Sequence, residues 1–380
     1  MVRTIRPAGI VAGIAVCILL MVSGCQKERT TGPAAKIEPP ADSTVVVQPP
    51  AGVPDGDSPQ PATTEKPTPQ AADPVAEPDA AEPPVNLVLG FSHGRAATYR
   101  VTTEAHKSVE WIGSESAKPT GYVDGRSGNF VEIMFEQRVR EVRDNGNAVL
   151  EIRIEALKYR GTIQSRTVLD FDSDKPDDSE SPLAVLVGKS YRLEMSPRGK
   201  VVDLLDMESV REAVEAGSQV YSVAVKLFSD EVVRDRHEIP PLSALSDERV
   251  RPGQSWSDQK SFAFGEMGLK SFERVYTLTQ VEQDDGRAAV VQMKAIPSAA
   301  MAEELHKRQV SGPLSGLFDS IDKYEGRLVF DLDGERIREY MEDMQTEWII
   351  ADPAMMQDTT AQPRGLKMGA GRLHRLELVK

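Results

Sequence analysis

The sequence has little of what most catalytic chemistry requires. Its 380 residues include only two cysteines, Cys17 and Cys25. The five histidines, His93, His106, His237, His306 and His374, are scattered. No two are four residues apart, so the zinc-protease pattern of two histidines and a glutamate is absent and no metal and no cofactor is implied. Neither a GxSxG elbow nor a Walker loop occurs, which excludes those nucleophile and phosphate-cradle signatures. Positive charge is in deficit, 45 basic against 59 acidic residues for a net charge of −14. A phosphate backbone would be repelled, so no nucleic acid is expected as a partner. Only one apolar run could enter a bilayer, which excludes a multispan membrane protein. The expectation is a protein that is not an enzyme.

What is present begins with an address. Arg3 and Arg6 precede the apolar stretch from Ala8 to Val22, which ends at Val22-Ser23-Gly24-Cys25 and then turns polar at Gln26-Lys27-Glu28-Arg29. A basic start, an apolar middle and small residues before a cysteine read as a lipoprotein signal over residues 1–24, with lipidation of Cys25. An uncleaved helix is the rival reading, and the immediate polar run argues against it. Cys17 leaves with the signal and Cys25 carries lipid, so no disulfide is available and the fold must rest on its own core. Gln26 rather than Asp after the cysteine favours the outer membrane. The expected location is a bacterial cell envelope, lipid-anchored, with the domain in the periplasm or outside.

Residues 25–85 carry that cysteine and a tether. Fourteen of the 26 prolines fall between Pro33 and Pro84, among Ala, Thr, Asp and Glu. Such a segment buries too little apolar surface to offset its ordering entropy, and disorder with polyproline II character is expected. At about 3.1 Å per residue it could hold a domain roughly 180 Å from the bilayer.

From residue 86 to 380 the pattern alternates with period two. Val131, Ile133, Phe135, Gln137 and Val139 share one face, and after Asp144-Asn145-Gly146 so do Leu150, Ile152, Ile154 and Ala156. That is a β-hairpin with one dry face. It recurs at Phe272–Val281 and Ala289–Ile296 around Asp284-Asp285-Gly286, an offset of 140 residues from Gly146 to Gly286. A second hairpin, Tyr191–Met195 with its turn to Gly199 and Val201, recurs at Arg327–Phe330, Gly334 and Ile337, offset by 135 from Gly199 to Gly334. Two hairpins in the same order imply an internal duplication, about 86–205 and 250–380. Strand entries at Tyr99 and Trp256 open the two halves. The fold class expected is mainly β (α+β), with antiparallel sheets from two duplicated halves.

Between them, about 206–249, the periodicity becomes helical. Asp206 is placed to cap a helix bearing Met207, Val210, Ala213 and Val214 and ending at Gly217, followed by a stripe of Val220, Val223, Ala224 and Leu227. Ile239-Pro240-Pro241-Leu242 should stop helicity. A further helix is expected from Ser298 to about Gln309.

The ordered motifs Asp170-Phe171-Asp172-Ser173-Asp174, Gly188-Lys189, Ser196-Pro197-Arg198-Gly199-Lys200-Val201 and Pro252-Gly253-Gln254-Ser255-Trp256 resemble a family of uncharacterised bacterial envelope lipoproteins, a domain of unknown function. The resemblance spans most of Leu87–Lys380 and implies no activity. A looser likeness, of fold only, is to periplasmic lipoprotein carriers with half-barrel sheets closed by helices.

Candidate sites are few. Asp170, Asp172 and Asp174 occupy the first ligand positions of a calcium loop, but Lys175 stands where the turn glycine belongs and Ser181 where the bidentate glutamate belongs, so a solvated loop is expected. Trp111, Trp256 and Trp348 serve a core or a cavity. The role expected is a tethered binding or scaffold domain, with the membrane as partner through the anchor and an envelope protein as a possible second. One alternative is a carrier of lipid or another amphiphile, its groove lined by Phe135, Ile152, Leu193, Leu328 and Phe330. The other is a hydrolase with a site assembled from distant acids.

Overall fold

The computed structural model describes residues 83–118, 120–218, 220–247, 249–264, 269–283, 286–298, 319–351 and 365–380. The expected signal, Cys25, nearly all of the expected tether, Asp284-Asp285 and all but the first residue of the helix expected over Ser298–Gln309 lie outside them. The described chain is mainly β and antiparallel, as the alternation requires.

The strands are β1 (Val85–Asn86), β2 (Ala96–Ile112), β3 (Gly125–Val142), β4 (Ala148–Ile163), β5 (Arg166–Asp172), β6 (Ser190–Met195) and β7 (Val201–Leu205) in the first half. After the insert come β8 (Arg249–Val250), β9 (Ser255–Ala263), β10 (Leu269–Glu282), β11 (Ala288–Pro297), β12 (Asp319–Asp331), β13 (Arg336–Ala351) and β14 (Gly365–Leu378). One sheet runs β7-β6-β4-β3-β2-β14-β13-β12-β11-β10-β9, with β5 also on β4, while β1 and β8 form a separate ribbon. Each half is a meander, and the two lie head to tail, joined where β2 pairs with β14.

The two halves match in register. Leu150 faces Leu193 and Val149 faces Glu194; their counterparts Val291 and Val290 face Leu328 and Val329. Bulges beside the turns match as well, although a further one at Glu155 of β4 has no counterpart in β11. The β3–β4 ladder skips Arg140, the β10–β11 ladder skips Thr279, and the skips at Val202 and Arg338 occupy the same place in the second hairpins. A bulge re-aims its strand and is a built feature, so its recurrence at matched positions is what an internal duplication produces. The turn offset needs a correction. Gly199 is left-handed at φ +69°, but in the second half that role falls to Glu335 at φ +47° and not to Gly334. Val201 and Ile337, both just past the turn, differ by 136, and Gly199 maps to Glu335 at that spacing.

The core lies on one face of the sheet. Leu278, Val291, Leu328, Tyr340, Leu376, Val101, Ile133 and Leu157 are cross-strand neighbours in one unbroken row over eight strands. All are buried. Period-two patterning repeated on each strand makes such a row, and burying each side chain contributes about 1.5–3 kcal/mol.

The insert holds α1 (Glu208–Arg211), α2 (Tyr221–Leu227), α3 (Asp230–His237) and α4 (Pro240–Ser243). Asp206 does not cap α1. Arg192 takes its carboxylate in an ion pair, its φ is +54°, and Met207 stands at the cap position without a side-chain bond. The first expected helix is therefore a single turn. Pro240 starts one more turn instead of ending helicity, because proline suits a first helical position.

Candidate functional site

Strands β7 and β9 are the free edges of the long sheet, and the insert touches both. Arg234 of α3 donates to the Val201 carbonyl of β7 at 2.7 Å. On the other edge Lys260 of β9 reaches Asp235 at 3.1 Å, and the Trp256 indole donates to the Pro241 carbonyl at 2.8 Å. His237, at the end of α3, sits in the core with Nε2 2.6 Å from the Tyr191 hydroxyl and its ring 5.0 Å from that of Phe135. The insert thus covers the dry face and spans the gap between the two edges.

Under α3 and α4 the covered face turns polar. On β9, Asp258, Lys260 and Phe262 share the side of Trp256; on β10, Arg274 lies between Phe272 and Tyr276; on β13, Glu342 lies between Tyr340 and Met344; on β14, Arg372 and His374 precede Leu376. Of these, Asp258, Lys260, Phe262, Arg274, Tyr340, Glu342, Met344, Arg372 and His374, together with Asp235, Glu238, Pro240, Ser243 and Tyr324, line a chamber of about 140 Å³.

Its floor is a closed ionic network. Arg274, only 5% exposed, forks onto both oxygens of Asp258 and donates to Glu342 Oε1 at 2.8 Å. The Tyr324 hydroxyl donates to Glu342 Oε2 at 2.8 Å, Tyr340 donates to Oε1, and Tyr276 donates to Asp258 at 3.1 Å. Burial alone would raise the Glu342 carboxyl; Arg274 and the two tyrosines overcome it and hold the group below its ordinary value. Burial pushes the three tyrosines up, so they stay neutral donors.

The mouth is more open. Asp235 bridges Lys260 and Arg372, at 3.1 and 2.8 Å, and all three side chains are 29–43% exposed. Burial again opposes these two cations at Asp235, and the cations prevail. His374 lies behind, buried, its Nε2 without a hydrogen-bond partner; burial drives it down to about 4. Ser243 donates to the Pro240 carbonyl at 3.2 Å.

A second cavity, about 50 Å³, lies under Leu89, Phe91, Tyr99 and Ile239. Of the five residues expected to line an apolar groove, Phe135 borders this cavity. Ile152, Leu193, Leu328 and Phe330 are buried and border neither. Trp348 packs on Phe264 at 5.0 Å, within the core. Asp170 meets Arg160 at 3.2 Å, and Asp172 and Asp174 both approach Lys158, at 3.9 and 3.5 Å. Among the described residues no cluster of His, Cys, Asp or Glu could hold a metal.

Sequence reading missed the chamber. Its signal was a charge in the apolar register of a strand, as at Phe272-x-Arg274-x-Tyr276 and Tyr340-x-Glu342-x-Met344.

Residues 145–316 match a family of unknown function, DUF6263. The loop, turn and strand-entry motifs quoted above all fall within that span. No curated protein matches the chain. Among solved structures, one concerned with lipid–protein interactions in lipovitellin aligns with a TM-score of 0.35 at 14% identity, over 77% of this chain and 26% of that one. This chain therefore spans about a quarter of that one. DynF from the dynemicin biosynthesis pathway of Micromonospora chersina aligns with a TM-score of 0.17 at 9% identity, over 82% of this chain and 93% of that one. Neither likeness bears on function.

Proposed function

We propose that the chain is a non-catalytic, lipid-anchored envelope protein whose β-rich domain is a binding module, with the chamber beneath the insert as its ligand site. The observation that carries this is the chamber's position, between a buried ionic floor and the helices that span the two sheet edges. A solvent-connected cavity with a few fixed polar groups is the usual form of a small-molecule site.

Two of these carboxylates argue against the hydrolase alternative. Glu342 and Asp235 are held ionised by partners, and among the described residues no hydrogen bond joins Ser243 to a base. General acid catalysis needs a carboxyl poised near neutrality beside the reacting atoms, and a hydroxyl nucleophile needs a base. Volume argues against the amphiphile carrier. The apolar cavity beside Phe135 holds about 50 Å³, roughly two water volumes and far less than an acyl chain fills. The anchor reading rests on Cys25 and the residues before it, and places the domain on the tether of residues 25–85.

Two measurements test the reading. Full-length protein should enter the detergent phase on partitioning, and Cys25→Ser should move it to the aqueous phase, because a hydroxyl does not replace the thiol in lipid transfer. A variant that still partitions into detergent with its signal removed would refute the anchor. Thermal-shift measurements on the detergent-solubilised chain should give saturable stabilisation by small charged molecules and none by fatty acids. Stabilisation by fatty acids alone would replace this reading with the carrier.

A further inference from the structure

The groups lining the chamber are unequal in what they leave unsatisfied. It holds four carboxylates, Asp235, Glu238, Asp258 and Glu342, against three cations, Lys260, Arg274 and Arg372. Every cation is engaged: Arg274 by Asp258 and Glu342, Lys260 and Arg372 by Asp235. An anionic ligand would meet cations already neutralised by carboxylates, with one carboxylate left over. The Glu238 carboxylate, by contrast, has no hydrogen bond or ion pair among the described residues, and the buried Nε2 of His374 has no partner either. A buried polar atom without a partner is destabilising until something meets it.

We propose that the chamber binds a small organic ammonium ion, with Glu238 as its counter-charge and His374 as a further polar contact. The inference rests on the reading of the chamber as a ligand site and names the class of ligand. An N–H-bearing cation supplies what the site lacks, since an ionised carboxylate only accepts hydrogen bonds and the Nε2 of a neutral imidazole accepts in its Nδ1–H tautomer. A bare metal ion does not fit, because no set of three hard donors converges among the described residues. The volume of about 140 Å³ has room for about five water-sized groups, which suits a short alkyl chain, and Phe262 supplies an apolar wall.

Electrostatics point the same way. Burial raises the Glu238 carboxyl, although Lys200, Lys260 and Arg234 oppose that and Asp235 adds to it. A bound cation favours the ionised form, so affinity should fall as pH drops through the range of this carboxyl.

The test uses three probes of one size on the detergent-solubilised full chain at neutral pH and low salt: n-butylammonium, butyrate and n-butanol. Calorimetry should show saturable binding of n-butylammonium alone. Glu238→Gln should weaken it by about ten-fold or more, as loss of a charge-assisted bond does, without lowering the melting temperature, because the Glu238 carboxylate holds no partner in the empty chamber and burial disfavours its ionised form. Glu238→Asp should recover part of the loss. Preferential butyrate binding would overturn the cation assignment while leaving the chamber as a ligand site. Equal binding of n-butanol would overturn it by showing that charge is not recognised. No binding of any probe would overturn it too, and the thermal-shift comparison with other charged molecules then decides separately whether the chamber takes a ligand at all.

Discussion

The amide of Ile239 donates to the carbonyl of Gly199 at 2.9 Å, tying the β6–β7 turn to the start of α4. Gly199 has φ +69°, and a Cβ there would lie 2.8 Å from the Cβ of Ile239. Gly199→Ala therefore combines left-handed strain with a clash against a buried side chain. The expected cost is about 2–4 kcal/mol, since strain and overpacking each contribute about 1–3. Denaturant unfolding measures it. Glu335, the equivalent position, already carries a side chain, so Glu335→Gly should cost far less; an equal loss at both would show that the contact with Ile239 is immaterial.

Two buried histidines link the insert to pH. His237, against Tyr191, is driven well below its ordinary value by burial and then by Arg236 and His374. His374 falls to about 4, from burial first. Both folded values lie below the unfolded value of about 6.5, so the unfolded chain binds more protons as pH falls, and stability present above pH ~6.5 is lost toward ~4. His374 alone should account for roughly 2 kcal/mol between neutrality and pH ~5. That lowers the melting temperature by roughly 5 °C. Asp235 and Glu342, whose carboxyls are held down, lose their contribution only below about 4 and do not mask the effect. His374→Gln should flatten the melting curve in that window, and an unchanged slope would remove His374 from the account.

Legibility followed the chemistry of each segment. The hairpins at Gly146 and Gly286 were readable because alternation and a turn glycine act locally, and the matched registers follow from them. The chamber was not, because its charges come from α3, β9, β10, β13 and β14, brought together only by the sheet order. Glu342 reads as one more outer-face acid in Glu339-Tyr340-Met341-Glu342-Asp343. Only the β13 bulge at Arg338 and the phase set by Tyr340 and Trp348 put it inside. Asp206 misled for a related reason: its capping side chain had a competitor, Arg192, fourteen residues earlier.

Metal removal should do nothing to the described domain. Asp170, Asp172 and Asp174 face Arg160, Lys158 and Lys175 rather than an empty shell, and Asp172 also accepts from the Asp174 amide at 3.0 Å. Ligand binding to the native state alone would add RT ln(1 + [L]/Kd) to stability. Calorimetric melts with and without a chelator should coincide. A chelator-induced fall of several degrees would restore the calcium reading of this loop.

Arg274 is the residue on which the chamber floor depends. Its guanidinium neutralises Asp258 and Glu342 from opposite sides, and three tyrosine hydroxyls, of Tyr276, Tyr324 and Tyr340, are oriented on those same carboxylates. Arg274→Ala leaves two carboxylates facing each other without a cation, and breaking a buried pair from one side costs about 3–5 kcal/mol. Arg274→Lys keeps the charge but not the fork, so it should recover only part of the loss. Replacing both ends, Arg274→Met with Glu342→Gln, removes one uncompensated charge along with its partner. That double variant should be more stable than Arg274→Ala although it carries one more substitution. Urea unfolding of the four proteins decides it. If the double variant is the least stable, the losses add independently and the network is not a coupled unit.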